Sequence, residues 1–238
     1  LAGEKAVAIQ AQSTVSLPFT SPVGVRGMLR ALAWVKGLNG SLEEVTWAVV
    51  PRPRVAGAHE ASIIGVHPNL LPFELAIHER LGYKWARAMS PESIFRWAKI
   101  ELVEGQITWY DDKVNRAAPY GQSLLGTIGT NFEWPSWADN GGLPDLAKWE
   151  SFVERLVTHY RDRVHYWEIW NEPIYVFTPE FYTELLKRAA SAIRRADPAA
   201  KIVGMGGVYK KDWIVQVMNL LGSDWREHLD YISTHLYP

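Results

Sequence analysis

Apolar and polar residues change their spacing along the chain near residue 60. In residues 1–60 the apolar residues form short, partly alternating runs broken by a Ser-Pro pair and glycines, a pattern typical of β-strands. We predict a β-rich accessory segment with two to four strands of a small sandwich, followed by the proline-containing connector 51–54. An irregular N-terminal arm packed under the next domain is the alternative for these residues.

Residues 61–238 instead repeat an apolar run, a loop and an amphipathic segment. The apolar runs predict six strands, at 63–67, 83–87, 123–129, 165–172, 201–206 and 230–238. The amphipathic segments predict helices at 72–81, 111–120, 144–162, 179–197 and 212–221. Strands that alternate with helices imply a parallel sheet with right-handed crossovers, either closed into a barrel or doubly wound.

The first strand–helix turn favours the barrel. A doubly wound nucleotide-binding sheet would carry Gly-x-Gly-x-x-Gly there, and the segment 65–70 does not match it. We therefore predict an α/β fold of the TIM (β/α)8 type. A complete barrel typically needs about 250 residues, so residues 61–238 are predicted to supply its first six strand–helix units. We expect a missing C-terminal segment or a second polypeptide to complete it, because six strands alone would expose apolar edges.

The fourth predicted strand ends in a change of chemistry. Residues from His165 to Trp170 are mostly aromatic or apolar, as suits a strand covered on both faces, and Asn171, Glu172 and Pro173 follow. Proline lacks a backbone N–H and cannot continue the sheet, so Asn171 and Glu172 are expected at the strand's C-terminal rim. In α/β folds that rim is where ligands bind.

The composition excludes several classes of protein. A net charge of −1 with 47% hydrophobic residues predicts a sizeable core and no attraction for nucleic acid or anionic membranes. The lack of cysteine excludes disulfides and thiolate metal sites, and no histidines show metal-binding spacing, so we expect no metal and no cofactor. No apolar run reaches the about 18 residues of a membrane span. The N-terminus looks processed or truncated, and we expect a secreted or periplasmic location.

Four short segments carry the strongest signal for function. They are Lys84-Trp85-Ala86-Arg87, Trp134-Pro135-Ser136-Trp137-Ala138, Trp170-Asn171-Glu172-Pro173 and Thr234-His235-Leu236-Tyr237-Pro238. In order and spacing they resemble the glycoside hydrolases of clan A, with the family 39 group of xylosidases and iduronidases the nearest. The resemblance implies a retaining glycoside hydrolase that cleaves a β-linked or related glycoside or polysaccharide by double displacement. A carbohydrate is then the expected partner.

The resemblance also implies roles for single residues. Glu172 would be the general acid/base, and Asn171 would donate to the sugar hydroxyl beside the reacting carbon. Arg87 would hold the nucleophile ionised, and that nucleophile, a glutamate on a seventh strand, lies outside this sequence. Tryptophans are candidate stacking platforms, and the His-x-Tyr pair would form the polar floor. The expected substrate-binding or supporting residues besides Asn171 and Arg87 are His67, Trp134, Trp137, Trp170, His235 and Tyr237.

Other residues have plainer interpretations. Glu168 shares strand parity with Glu172 but would lie about 13 Å lower at 3.3 Å per residue, so we predict a buried, paired structural carboxylate. His67 suits a structural role as well as a sugar ligand, and Lys210 and Lys211 are predicted to be solvated charges. Two other functions stay open: a catalytically inactive carbohydrate-binding barrel, and a non-glycosidase barrel enzyme in which Glu172 abstracts a proton.

Overall fold

The computed structural model describes residues 27–34, 42–49, 62–89, 94–131 and 133–235. The chain divides into two compact units, Leu1–Pro51 and Arg52–Pro238. In the first unit, strand β1 (Gly27–Trp34) pairs antiparallel with strand β2 (Leu42–Val49) along all eight residues of each strand. The rest of the accessory segment lies outside the described residues, so the sandwich stays a prediction.

The second unit is built on one parallel sheet. Its strands are β3 (Gly65–Val66), β4 (Trp85–Ala88), β5 (Ser123–Thr130), β6 (Tyr166–Asn171), β7 (Lys201–Gly204) and β8 (Tyr231–Ile232). Each strand pairs in parallel with the strand that follows it along the chain, so the order in space is the order in sequence. A doubly wound sheet reverses its strand order at a switch point, whereas a barrel does not. The predicted partial barrel of six strands is therefore confirmed.

Helices connect these strands. They are α1 (Pro72–Leu81), α2 (Trp97–Ile100), α3 (Asp111–Val114), α4 (Leu146–Tyr160), α5 (Pro179–Ala196), α6 (Lys211–Leu221) and α7 (Trp225–His228). The predicted stop of α1 at Gly82 is confirmed, since this glycine caps the helix with φ 77°. Asp145 and Thr178 begin α4 and α5, because their side chains accept hydrogen bonds from backbone N–H groups of the first turn. The sequence pattern missed α2 and α7, which have only four residues each.

The main core lies between the sheet and the two longest helices. One face of α4 buries Trp149, Phe152 and Leu156, and α5 buries residues such as Leu186 completely. Strand β6 is covered on both sides, with Trp167 fully buried as its apolar sequence predicted. Burial of one such large side chain contributes about 1.5–3 kcal/mol. This packing holds the end of β6 in a fixed position.

The two outer strands of the sheet leave apolar side chains in solvent. Beside β3, Ile63 and Ile64 are exposed, and on β8 the side chains of Tyr231 and Ile232 are exposed as well. This agrees with the apolar edges expected for six strands, and the completion of the barrel by further strands stays a prediction. Among the helices that the structure describes, none has the length and apolar character needed to cross a membrane.

Candidate active site

A buried carboxylate anchors the polar groups in the sheet. Glu168 on β6 is fully buried, and its Oε2 accepts hydrogen bonds from Arg87 Nε at 2.8 Å and from Thr127 Oγ1 at 2.7 Å. Arg87 Nη2 lies 2.7 Å from the same oxygen, so the two residues also form an ion pair. Charge-assisted contacts of this kind compensate for burying a charge. The predicted role of Glu168 as a buried, paired structural carboxylate is confirmed.

The same arginine fixes the side chain of Asn171. Arg87 Nη2 donates to Asn171 Oδ1 at 2.8 Å, and the asparagine is almost completely buried. A guanidinium has only donors, so the atom facing it must be the amide oxygen. The amide nitrogen of Asn171 is then the group left to donate to a ligand. Arg87 therefore acts on the rim through Asn171 and Glu168, and its expected contact with a nucleophile stays a prediction.

The end of β6 departs from regular strand geometry. Trp170 has φ 68° and Glu172 has φ 51°, a left-handed conformation that costs residues other than glycine about 1–3 kcal/mol. A regular strand sends successive side chains to opposite faces, yet Glu168 and Asn171, three residues apart, both contact Arg87. The turned backbone at Trp170 therefore shifts the alternation by one residue and brings Asn171 to the side of Glu168.

Glu172 stands at the rim as expected and contacts a second predicted site residue. Its carboxylate Oε1 lies 3.0 Å from Nδ1 of His235, which follows β8, and the Glu172 side chain is 31% exposed. The backbone N–H of Glu172 donates to the carbonyl of Gly206, which follows β7. The structure thus brings together Glu172 and His235, which are 63 residues apart in the sequence. A carboxylate held in this way is reachable from solvent and has a defined orientation.

Residues after β7 make this approach possible, and the sequence alone did not reveal them. A Cβ added at Gly206 would lie 1.6 Å from the carbonyl oxygen of Trp170, and one at Gly207 would lie 2.3 Å from the ring of His235. Tyr182 on α5 links the same two strand ends, since its hydroxyl donates to Ile169 O at 2.9 Å and accepts from a backbone N–H beyond β7 at 2.6 Å. Complete burial raises the pKa of Tyr182, which keeps the hydroxyl protonated as a donor.

His67 lies at the end of β3 in the electrostatic field of the same cluster. Burial lowers the pKa of His67, and the positive charge of Arg87 lowers it further, while Glu168 opposes the shift. The lowered pKa favours the neutral imidazole, in which one nitrogen is a donor and the other an acceptor. That state suits a contact with a sugar hydroxyl, which stays a prediction.

The expectation for Trp170 needs correction. Its ring is only 1% exposed and packs within an aromatic cluster against Phe177 at 4.8 Å, Trp149 at 5.7 Å and Trp134 at 6.2 Å between ring centroids. A sugar cannot stack on this ring because neighbouring aromatic side chains already cover it, so Trp170 is a packing residue. The backbone turns at this position, with φ 68° at Trp170, and the sequence gives no local signal of that turn.

The other predicted residues divide into three cases. Trp134 is partly buried beside this aromatic cluster, and its indole nitrogen donates to Asp139 Oδ1 at 2.8 Å, so it stays a candidate platform. Trp137 belongs to a different group, since its nitrogen donates to the carbonyl of Glu101 and Lys148 lies over its ring. Tyr237 lies outside the described residues. Within the part of the chain that the structure describes, no group of acidic or histidine side chains could hold a metal ion.

Comparison with known proteins identifies glycoside hydrolases as similar to this chain. The model of glycosyl hydrolases family 39 matches residues 130–238, which contain β6 to β8 and Glu172. An endo-1,4-beta-xylanase A from Phanerodontia chrysosporium is 32% identical over 132 residues, covering 48% of this chain and 31% of that protein. A family 39 glycoside hydrolase from the gut symbiont Bacteroides cellulosilyticus WH2 has a TM-score of 0.62 at 22% identity, covering 82% of this chain and 41% of that one.

The chain is a relative of the family 39 glycoside hydrolases. The kinship predicted from its four short segments, a clan A glycoside hydrolase of the family 39 kind, is confirmed. A family 10 xylanase from Thermobacillus composti shares the fold, with a TM-score of 0.56 at 20% identity over 71% of this chain and 54% of that one. The chain spans about a third of the length of the xylanase from Phanerodontia chrysosporium.

Proposed function

We propose that this chain carries the acid/base half of a retaining glycoside hydrolase, with Glu172 as the general acid/base. The observation that carries the proposal is the rim of β6, where Glu172 is accessible to solvent beside an asparagine whose amide is oriented by Arg87. Kinship with family 39 supports the same assignment. The second carboxylate, the nucleophile, is proposed to come from outside the described residues.

The reaction then has two steps with defined proton transfers. In the first, the nucleophile attacks the anomeric carbon, the bond to the leaving oxygen breaks, and Glu172 gives its proton to that oxygen. In the second, Glu172 is ionised and takes a proton from a water molecule whose oxygen attacks the same carbon and releases the nucleophile. Both steps require the two carboxyl groups to lie about 5–5.5 Å apart across the sugar ring.

Asn171 and His235 would support these steps in different ways. The amide nitrogen of Asn171 would donate to the hydroxyl beside the reacting carbon, an interaction that strengthens as positive charge develops on the sugar. His235 would hold the Glu172 carboxyl group towards the leaving oxygen through its contact at Nδ1. A side chain held by a packed neighbour loses little entropy in the transition state, and this lowers the barrier.

The substrate class follows from the relatives. Three of them are named as endo-1,4-beta-xylanases, two from Phanerodontia chrysosporium and one from Agaricus bisporus. We therefore propose a β-1,4-linked xylan-type chain as the substrate of the complete protein. A polymer of this kind lies outside the cell, which agrees with the secreted or periplasmic location expected from the sequence.

Proton NMR of the first product tests the mechanism. The complete natural protein should release a sugar whose new reducing end first appears as the β-anomer, because two displacements at one carbon retain its configuration. First appearance of the α-anomer would overturn the retaining mechanism. Sugar binding without any turnover would instead favour the inactive carbohydrate-binding barrel, and loss of a proton beside a carbonyl would favour the non-glycosidase barrel enzyme.

A further inference from the structure

Two exposed tyrosines stand beside Glu172 at the rim and have no part in the proposed catalysis. Tyr175 ends the short turn after β6, and its backbone N–H donates to the carbonyl of Glu172 at 3.2 Å. Tyr209 follows β7, and the two phenol oxygens lie 3.2 Å apart. Their exposed fractions are 57% and 48%. The hydrogen bond joins two loops at the rim and presents a pair of aromatic rings to solvent.

The position of this pair indicates which part of a ligand it would meet. A general acid protonates the leaving oxygen, so residues attached next to Glu172 lie on the leaving-group side of the cleaved bond. Aromatic rings suit sugars because a pyranose offers an apolar face of C–H groups while its hydroxyls stay in water. Tyr175 and Tyr209 together are therefore placed to support the leaving-group portion of a sugar chain.

A groove lined by the chain neighbours of both tyrosines carries positive charge. Its walls are Ile174, Pro179, Lys210, Lys211, Asp212, Trp213 and Gln216. Ile174 and Lys210 are the chain neighbours of the two tyrosines, so the groove adjoins the pair. Both lysines are exposed, and neither forms an ion pair with any residue that the structure describes. With Asp212 as the one acid in the walls, the groove has an excess of positive charge.

Unpaired lysines in a groove beside a sugar platform select for a particular class of ligand. A neutral sugar hydroxyl gains only a hydrogen bond from an ammonium group, whereas a carboxylate gains a hydrogen bond between opposite charges. The indole nitrogen of Trp213, buried in the wall, also has no acceptor among the described residues. We propose that this groove, which we call the leaving-group groove, binds a saccharide unit that carries a carboxylate, such as a uronic acid. The proposal rests on the proposed function, because the leaving-group side is defined by Glu172.

A matched pair of substrates tests the inference. One is a linear β-1,4-xylo-oligosaccharide, and the other is the same oligosaccharide with a glucuronic acid branch. The quantity measured is the ratio of kcat/KM for the acidic substrate to kcat/KM for the neutral one, at low salt. For the Lys210→Ala, Lys211→Ala double variant this ratio should fall about three- to tenfold, as expected for losing two partly exposed charge contacts. The Lys210→Arg, Lys211→Arg double variant keeps both charges and should restore the ratio.

A change of salt concentration and an aromatic substitution distinguish the contribution of the lysine charges from that of the tyrosine rings. In about 0.5 M NaCl the wild-type ratio should approach that of the double alanine variant, because exposed charge contacts are screened. Tyr209→Ala should raise KM about fivefold for both substrates, as expected for losing an aromatic contact. An unchanged ratio in the double alanine variant at low salt would overturn the inference.

A binding measurement keeps this test separate from the test of catalysis. Calorimetry with the Glu172→Gln variant of the complete protein measures affinity for both oligosaccharides without turnover. If the wild type hydrolyses neither substrate, the proposed function fails, while stronger binding of the acidic sugar that depends on Lys210 and Lys211 still supports the groove. If the wild type hydrolyses both and the affinities are equal, the groove assignment fails and the proposed function stands.

Discussion

The buried ion pair beneath the rim allows a quantitative prediction. Glu168→Gln keeps the shape of the side chain and removes its charge, which leaves the Arg87 guanidinium without its carboxylate. Glu168 is fully buried, whereas the Arg87 side chain keeps 18% of its exposure and so retains some hydration. Removing one partner of a buried pair lowers the free energy of unfolding by about 3–5 kcal/mol. Because Arg87 is partly hydrated, we expect a loss at the lower end of this range, about 3 kcal/mol. For a chain of this size that corresponds to a drop in Tm of about 6–12 °C.

A surface pair provides the matched control. Glu154 pairs with Arg195 across α4 and α5, with side-chain exposures of 42% and 46%. Glu154→Gln makes the same chemical change on the surface and should cost less than about 1 kcal/mol. Urea unfolding followed by circular dichroism gives both values. If the two variants lose the same stability, Glu168 is not the anchor of the network and the interpretation of the buried pair is wrong.

The same substitution should also reduce activity through Asn171. Without the carboxylate, Arg87 is free to turn, and its hydrogen bond to Asn171 Oδ1 is no longer fixed. One lost orienting hydrogen bond of about 1.4 kcal/mol corresponds to about a tenfold lower kcat, with a smaller change in KM because the contact strengthens in the transition state. A rise in KM at constant kcat would contradict this role.

Three further predictions concern stability. Gly206→Ala places its Cβ 1.6 Å from the carbonyl oxygen of Trp170 and should lower the free energy of unfolding by more than about 3 kcal/mol. In the control Gly222→Ala, the added Cβ meets no atom within 4 Å, and the loss should be about 1–2 kcal/mol in the same thermal scan. Equal losses would contradict the close approach of the ends of β6 and β7. Thr178→Ala removes the cap of α5 and should cost about 1 kcal/mol, and no change in Tm would show that the cap is dispensable. Burial alone would raise the pKa of Asp230, but hydrogen bonds from a backbone N–H and a guanidinium outweigh it and lower this pKa. Its stabilisation is therefore present above about pH 4 and is lost as the pH falls through the folded-state pKa. The difference of about 1–2 kcal/mol between wild type and Asp230→Asn at pH 7 should shrink towards zero by about pH 2, and a difference independent of pH would refute the assignment.

The sequence predicted those features that depend on local periodicity. Apolar runs located all six strands of the sheet, and the helix 72–81 with its stop at Gly82 has the same bounds in the structure. Such features follow from burial of one face and from the conformational freedom of glycine, both of which can be read within a short window. The order of the six strands in the sheet could be predicted as well, because helical crossovers between parallel strands are right-handed.

Features that depend on contacts between distant segments were not predictable in this way. The family resemblance made Trp170 a candidate stacking platform, but its backbone turns at φ 68° and its ring packs in the core. The reason lies just after β7, where Gly206 leaves room for the carbonyl of Trp170 and its own carbonyl accepts a hydrogen bond from the N–H of Glu172. Tyr182, which ties the ends of β6 and β7, likewise looks like an ordinary core residue of α5 in the sequence.

Glu172 is proposed to donate and then to accept the proton in a double displacement. The most direct measurement is the turnover of Glu172→Gln in the complete protein on an aryl β-xyloside with an activated leaving group, with and without sodium azide. Hydrolysis of xylo-oligosaccharides should fall at least about 10²-fold, whereas azide, which needs no base, should accelerate turnover of the aryl xyloside and give the β-xylosyl azide. Undiminished hydrolysis of xylo-oligosaccharides, or an α-azide product, would contradict this assignment.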